Sequence, residues 1–460
     1  MVDDDLPGGL GVWRARWLVL RHGGTLGPVV YGAGAVALAP LFLLWLAVLA
    51  LVDQVTARWG SRDGVPVAPE THPELSALVT EVARHLGTDP PDRVLLSAEP
   101  VVEAEVTHGQ RYLRIGLPVL ACLSRADLRA VLGHRLALLR HRRAGLVVPL
   151  VAIWMDAVRD SADETGRKLR RATRLRRELD AFAAQVQRDA DAAAATVAGG
   201  GGPAARATAL AHVVAQTYLD DFLDLLGVPE RTLWRRGVGV RDLDDGWRRV
   251  VHRGLGESDW DEETAELLAT IHPGLAGPVR ALGTTPLSVR PSPDPVPVPP
   301  LTPRQQRRLV RRLLGIPFPE SLRWTTFAEA PHAWWRRRAT RDADSVRADV
   351  ATVLGREPVD DLEVYQVVRT RTREVLAAAF DIPLADLADE QPYDDDDPPG
   401  ALVFLVEDAL LRRGWRLEHP AVRGVLVDPA GDRVDARQVL VAAAGDPSAL
   451  RHWLTAGPSA

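Results

Sequence analysis

His134 is the residue around which metal chemistry would be built in this chain. Two histidines at i and i+4 share one helix face and bind zinc, and a glutamate directly after the first serves as general base for the attacking water. The five residues here read His134-Arg135-Leu136-Ala137-Leu138. Arg135 stands at the base position and cannot accept a proton at neutral pH. Leu138 stands at the second ligand position and has no lone pair to donate. Arg135 also places a positive charge beside any bound cation, a repulsion of about 4 kcal/mol per unit charge at about 4 Å and an effective dielectric near 20. Loss of a general base alone lowers a rate by on the order of 10² to 10⁴.

Other residues offer partial alternatives. His134 and His141 lie seven apart and share a helix side, His108 falls in a nearby turn, and Glu178 and Asp180 lie on a later helix. A rebuilt site could draw on some of these. Against it, His134 reads equally as a relic or a hydrogen-bonded core histidine, and His141 as solvent-facing among Arg140, Arg142 and Arg143. Cys122 lacks a nucleophile signature and reads as a buried thiol. The four glycines at 199–202 are not followed by the Lys-Ser/Thr of a phosphate loop.

The elements that must position these residues are legible from periodicity. Residues 72–86 form an amphipathic helix through Leu75, Leu78, Val79, Val82, Ala83 and Leu86. Residues 93–97 form a strand, and 102–115 a hairpin turning at Thr107-His108-Gly109-Gln110. Ser124, with Asp127 three residues on, caps a helix expected to run to about Arg143. The apolar stretch 144–155 is short for a membrane span and reads as a buried helix or a shallow membrane contact. Residues 157–198 are mostly helical and highly charged, a further helical region covers 212–226, and 262–282 completes the unit. Residues 284–303 carry six prolines from Pro291 to Pro300 and read as a semi-rigid linker. Beyond it, a basic amphipathic helix sets Arg307, Arg308, Arg311 and Arg312 against Leu309, Val310, Leu313 and Leu314. It reads as a surface helix with one packed face, or as one that touches anionic lipid. Asp394 to Asp397 lack EF-hand spacing and read as a solvated loop. The turn Pro429-Ala430-Gly431-Asp432 marks a late hairpin.

Length and composition set the bounds. The 460 residues suffice for two or three domains, and the net charge of −5 gives no field favouring nucleic acid. One cysteine excludes an internal disulfide. Residues 28–52 carry no charge, and about 25 residues at 1.5 Å each give about 37 Å of helix, enough to span a bilayer with some tilt. Pro40 is tolerable there, Trp17 and Trp59 flank the run, and the alternative is a cleaved signal peptide. Three arginines before the run against two after it leave its orientation open.

Several pieces in order resemble the HtpX and CAAX-prenyl-protease type of membrane zinc metallopeptidase. They are His72-Pro73-Glu74-Leu75, the run from Ile115 through Leu123-Ser124-Arg125-Ala126-Asp127 to Gly133-His134, then Ala190-Asp191 with Ala194 and Ala198-Gly199, and finally His272-Pro273 with Leu275 and Arg280. Together they cover somewhat under half of the chain. The resemblance implies a gluzincin-like domain in which His134 is the first metal ligand and Leu138 fills the second ligand position. Gln187 fills the third, which a glutamate holds in the family, and Asp191 is a retained position.

The expected fold is mainly α with a small antiparallel sheet in a gluzincin-like domain, one N-terminal transmembrane helix, and a separate small α+β C-terminal region. The expected segments are 1–27, a membrane helix 28–52, a peptidase-like domain 56–283, a linker 284–303 and a C-terminal region 304–460. The expected function is a membrane-anchored pseudopeptidase that binds peptides or membrane-protein partners without cutting them. Val102, Glu103, Ala104, Glu105 and Val106 form its candidate edge strand, since strand-edge recognition uses backbone groups. Two alternatives are an active metal-dependent endopeptidase with relocated ligands and a membrane scaffold acting through the C-terminal region. No cofactor is expected, or zinc if the site has been rebuilt. The bilayer is an expected partner and nucleic acid is not.

Overall fold

The computed structural model describes residues 64–107, 109–141, 143–163, 166–223, 238–253, 260–283, 287, 289–313, 322–330, 332–380, 400–444 and 447–455. The apolar run 28–52, His108 and the acidic run at Asp394 lie outside them. Among the described residues no helix is long and apolar enough to cross a membrane. The chain is mainly helical with small sheets and divides into two units, 1–324 and 325–460.

The first unit opens with β1 (Val65–Pro66) and helix α1 (Pro73–His85). Pro73 at the first helical position has no N–H to satisfy, and Leu75, Leu78, Val79, Val82 and Ala83 bury the predicted face. Strands β2 (Arg93–Ser97), β3 (Val102–Thr107) and β4 (Gln110–Gly116) follow, joined β3 to β4 through Gly109 at φ 75°. The sheet order is β1-β2-β4-β3. It is mixed rather than purely antiparallel, because the hairpin inserts β4 beside β2, where the two run parallel from Arg93 opposite Tyr112 to Ser97 opposite Gly116. β3 is the end strand of that order and, among the described residues, is hydrogen-bonded only to β4.

Helix α2 (Leu117–Cys122) leads into α3 (Arg125–Leu139), which carries His134. The capping box forms as read: Asp127 N donates to Ser124 Oγ at 3.1 Å, and Ser124 N donates to Asp127 Oδ2 at 3.4 Å. The helix stops at Leu139, short of the expected Arg143. The apolar stretch begins a second helix, α4 (Ala144–Asp163), whose Val147, Leu150, Val151, Trp154 and Val158 are buried in the core. α5 (Gly166–Ala198) ends at two positive-φ glycines, Gly199 and Gly200. α6 (Gly201–Gln216) then starts eleven residues earlier than the pattern predicts, since Pro203 fits a first turn, and passes into a π-helical turn at Thr217–Leu223. α7 (Leu243–His252), α8 (Glu262–Ile271) and α9 (Ala276–Ala281) complete the layer, with His272 and Pro273 breaking α8 from α9.

The proline-rich stretch is not a free linker. Ser292 N donates to Ala121 O at 3.1 Å, Arg125 N donates to Asp294 O at 3.0 Å, and Val289 and Val296 are buried, so it straps along the first unit. The basic helix α10 (Pro303–Leu313) belongs to this unit too. It buries Leu309 and Val310 and leaves Arg307 and Arg308 exposed, the one-packed-face reading.

The second unit packs α11 (His332–Leu354), α12 (Asp361–Thr370), α13 (Thr372–Phe380), α14 (Gly400–Arg412), α15 (Ala436–Ala444) and α16 (Pro447–Thr455) with a three-stranded antiparallel sheet, Arg416–His419, Val422–Val427 and Arg433–Asp435. The late hairpin turns at Gly431, φ 99°. Its interior holds charge: Arg423 donates to Glu407 at 2.9 Å and to Asp342 at 2.8 Å.

Candidate functional site

Three elements converge on His134. α3 crosses α5 closely at Gly133, where an added Cβ would sit 3.3 Å from the Ala194 backbone and the Val197 side chain. That approach brings Gln187 and Asp191, one helical turn apart on α5, onto His134. The break between α8 and α9 delivers His272. All four side chains are buried, Gln187 and Asp191 completely.

His134 Nε2 lies 2.9 Å from Gln187 Oε1 and 3.4 Å from Asp191 Oδ1. An amide oxygen only accepts, so the His134 Nε2–H donates. His272 Nδ1 donates to Asp191 Oδ1 at 2.9 Å, and the backbone N–H of Gly274 donates to Asp191 Oδ2, also at 2.9 Å. The rings of His134 and His272 meet edge to face, centroids 4.9 Å apart. Burial disfavours the charged imidazole and pulls His134 down to about 4, against the hydrogen bond to Asp191. Burial alone would raise Asp191, but the bonds from His134 and His272 outweigh it and hold the carboxyl well below its usual range. At neutral pH this is an ionised aspartate held by a neutral histidine, a second histidine and a backbone amide.

His134, Asp191 and His272 offer nitrogen, oxygen and nitrogen atoms within 4.8 Å of one another and could hold a metal ion. The donor types suit zinc. With zinc bonds of about 2.0–2.1 Å, adjacent tetrahedral donors stand roughly 3.4 Å apart. The His134–Asp191 separation meets that, while the His272–Asp191 separation of 2.9 Å is a hydrogen-bond distance. Both carboxylate oxygens are already engaged. A metal would have to displace the protons that now make these bonds.

The residues singled out from the sequence separate into two groups. His134, Gln187 and Asp191 come together. Leu138 instead packs in the core with Val147, Leu150, Trp154, Phe182 and Val186. Glu178 pairs with Arg174 at 3.1 Å, and Asp180 accepts the Trp154 indole N–H at 2.8 Å, so neither joins His134. His141 is half-buried rather than solvent-facing, and burial lowers its pKa. Cys122 is buried, which pushes its thiol up to about 12. Along the edge strand β3, Val102 and Ala104 point inward and are buried. Glu103 and Glu105 share the other face with Arg114 on β4, which pairs with Glu105 and stands 3.6 Å from Glu103. His272 enters the sequence reading only as part of the His-Pro segment of the resemblance, which assigns it no partner; its bond to Asp191 is a finding of the structure. His212 of α6, which carries no local signal, was missed as a site residue.

Beside the cluster lies a cavity of about 110 Å³. His134, Arg135, Arg159, Thr208, His212 and His272 give it a polar side, and Val101, Val102, Val131, Met155, Leu268 and Ile271 are among its apolar lining.

Gly274 is a tight contact. A Cβ there would lie 2.7 Å from Asp191 Cβ and 3.1 Å from Asp191 Oδ2. Gly274→Ala is expected to push Asp191 off its partners and destabilise the protein by about 1–3 kcal/mol, an overpacking effect. Gly277→Ala, in α9 with nothing within 4 Å of its new methyl, is the control. It is expected to be neutral or to stabilise by up to about 1 kcal/mol. Thermal melts of the two variants side by side check this. Equal midpoints would show that the Gly274 contact does not hold Asp191.

Compared with known protein families, characterised proteins and solved structures, the chain matches none of them.

Proposed function

We propose that the first unit is a pseudopeptidase: a gluzincin-like domain of the HtpX and CAAX-prenyl-protease type whose metal centre has become a hydrogen-bonded core, and which holds a peptide or membrane-protein partner without cutting it. The observation that carries this reading is the bond between His134 and Gln187, 2.9 Å across and 53 residues apart in sequence. The resemblance aligns these two as the first and third metal ligands, and they meet as donor and acceptor. At the remaining positions Leu138 lies in the apolar core and Arg135 faces the cavity. Such a centre has no base and no second histidine in the usual place. The outer edge of β3, which no strand pairs among the described residues, supports partner binding, because such an edge offers backbone donors and acceptors to an added strand. In this reading the segment 28–52 tethers the domain to a membrane.

A second reading, an active metallopeptidase with rebuilt ligands, is favoured by the His134–Asp191–His272 cluster itself. Metal analysis of the purified full chain after dialysis against trace zinc separates the two. The expected result is well under one equivalent of zinc, unchanged in His134→Ala, with no metal-dependent cleavage of an unfolded protein substrate. Near one equivalent of zinc, lost in His134→Ala, would overturn the pseudopeptidase reading and establish the second.

A further inference from the structure

The cavity beside His134 is lined on its polar side by basic side chains. Two arginines, Arg135 and Arg159, line it, with His134, His212 and His272, and among the described residues no carboxylate does. Asp191 lies behind the histidines, where its oxygens are taken up by His272 and Gly274. Glu103, the carboxylate that acts most on Arg135, stands against Arg114 on the far face of β3. Two buried side-chain nitrogens of lining residues have no hydrogen-bond partner among the described residues, Arg135 Nε and His212 Nε2. Buried polar groups without partners are rare and call for a ligand or water. Apart from Thr208 the remaining lining is apolar, with Val101, Val102, Val131, Met155, Leu268 and Ile271 among it.

We propose that this cavity binds a small carboxylate with a short apolar tail, gripped by the fork of Arg135 and hydrogen-bonded by His212, its tail against the valines and Ile271. A guanidinium pairs with a carboxylate through two parallel N–H bonds, and Arg135 Nε, one member of that fork, has no partner among the described residues. The apolar lining distinguishes such a ligand from a bare inorganic anion. Two sources share this chemistry. One is a free acid. The other is the C-terminal carboxylate of a peptide, because Val102 begins β3 and lines the cavity, and a chain paired antiparallel to β3 would end there. Only the peptide source rests on the edge-strand reading above.

The test is calorimetry on the purified full chain with sodium 3-methylbutanoate, its neutral isostere 3-methylbutanamide, and inorganic phosphate. Saturable binding of 3-methylbutanoate is expected, with the amide and phosphate at least tenfold weaker. Arg135→Gln and His212→Leu, each checked for an unchanged melting profile, are expected to weaken it tenfold or more and severalfold. Absence of saturable binding, equal binding of the amide or phosphate, or undiminished binding by a folded Arg135→Gln overturns the proposal. The peptide Ala-Ala-Leu, with a free or an amidated C-terminus, then separates the sources. Tighter binding of the free-terminus form identifies a chain end as the ligand. Binding of 3-methylbutanoate without the peptide leaves the carboxylate site standing, identifies a free acid, and sinks the edge-strand reading alone.

Discussion

Replacing Asp191 by alanine is expected to destabilise the protein by about 3–5 kcal/mol, the range for removing one partner of a buried charged network. Asp191 is wholly buried and takes N–H bonds from His272 and Gly274, each 2.9 Å long, with His134 Nε2 at 3.4 Å. The alanine variant strands those donors where water cannot replace the lost acceptor. Asparagine is not expected to rescue fully, because its amide nitrogen must face either His272 Nδ1–H or Gly274 N–H, donor against donor. Urea unfolding of wild type, Asp191→Ala and Asp191→Asn measures this. A loss under 1 kcal/mol for the alanine variant would show that the cluster is a passenger in the core.

The same network sets a pH dependence. His134 falls from 6.5 to about 4 on burial. Between those values the unfolded chain binds a proton on this histidine that the folded chain does not, so stability declines as pH drops through the window, by about 2 kcal/mol at pH 5. His212, also brought to about 4 by burial, contributes with the same sign. Asp191, held below the usual carboxylate range, keeps its contribution through the whole window and loses it only in stronger acid. Urea midpoints at pH 7 and pH 5 should fall less in His134→Ala than in wild type. An equal fall would place the titrating group elsewhere.

In the second unit, Glu407→Ala is expected to cost about 3–5 kcal/mol for the same physical reason. Glu407 is fully buried, and its Oε2 accepts from Arg423 Nε at 2.9 Å and from Gly424 N at 3.1 Å. Arg423 lies over the Phe404 ring, 4.7 Å from its centre, and its other partner is Asp342 at 2.8 Å. Removing Glu407 leaves a buried guanidinium with half its compensation. The double variant Glu407→Leu, Arg423→Met removes both charges and is expected to recover at least half of the loss, since a buried ion pair is costly chiefly when broken from one side. A double variant that is worse than the single by the full cost of Arg423→Met alone would show the two residues to be energetically independent.

The local part of this protein was determined by sequence alone. The face of α1, the Ser124–Asp127 cap, the strand at Arg93–Ser97 and the hairpin around Gly109 depend on side-chain period, a capping hydroxyl and a positive-φ glycine, all set within a few residues. That Arg135 cannot act as a base nor Leu138 as a metal ligand was equally legible, because it concerns residue type. Where Gly201–Gln216 begins, and that the proline stretch straps along α2 and α3, were not, because both depend on what packs alongside. The centre itself was decided by tertiary structure. Gln187 meets His134 across 53 residues, and His272 meets Asp191 across 81. Helical period places a side chain on a face but not opposite another helix. The orphaned Arg135 Nε and His212 Nε2 likewise exist only once packing has removed water from around them. Residue types fixed which side chains could take part. Burial and long-range contact decided that a hydrogen-bonded His134–Asp191–His272 core stands beside an arginine-lined cavity.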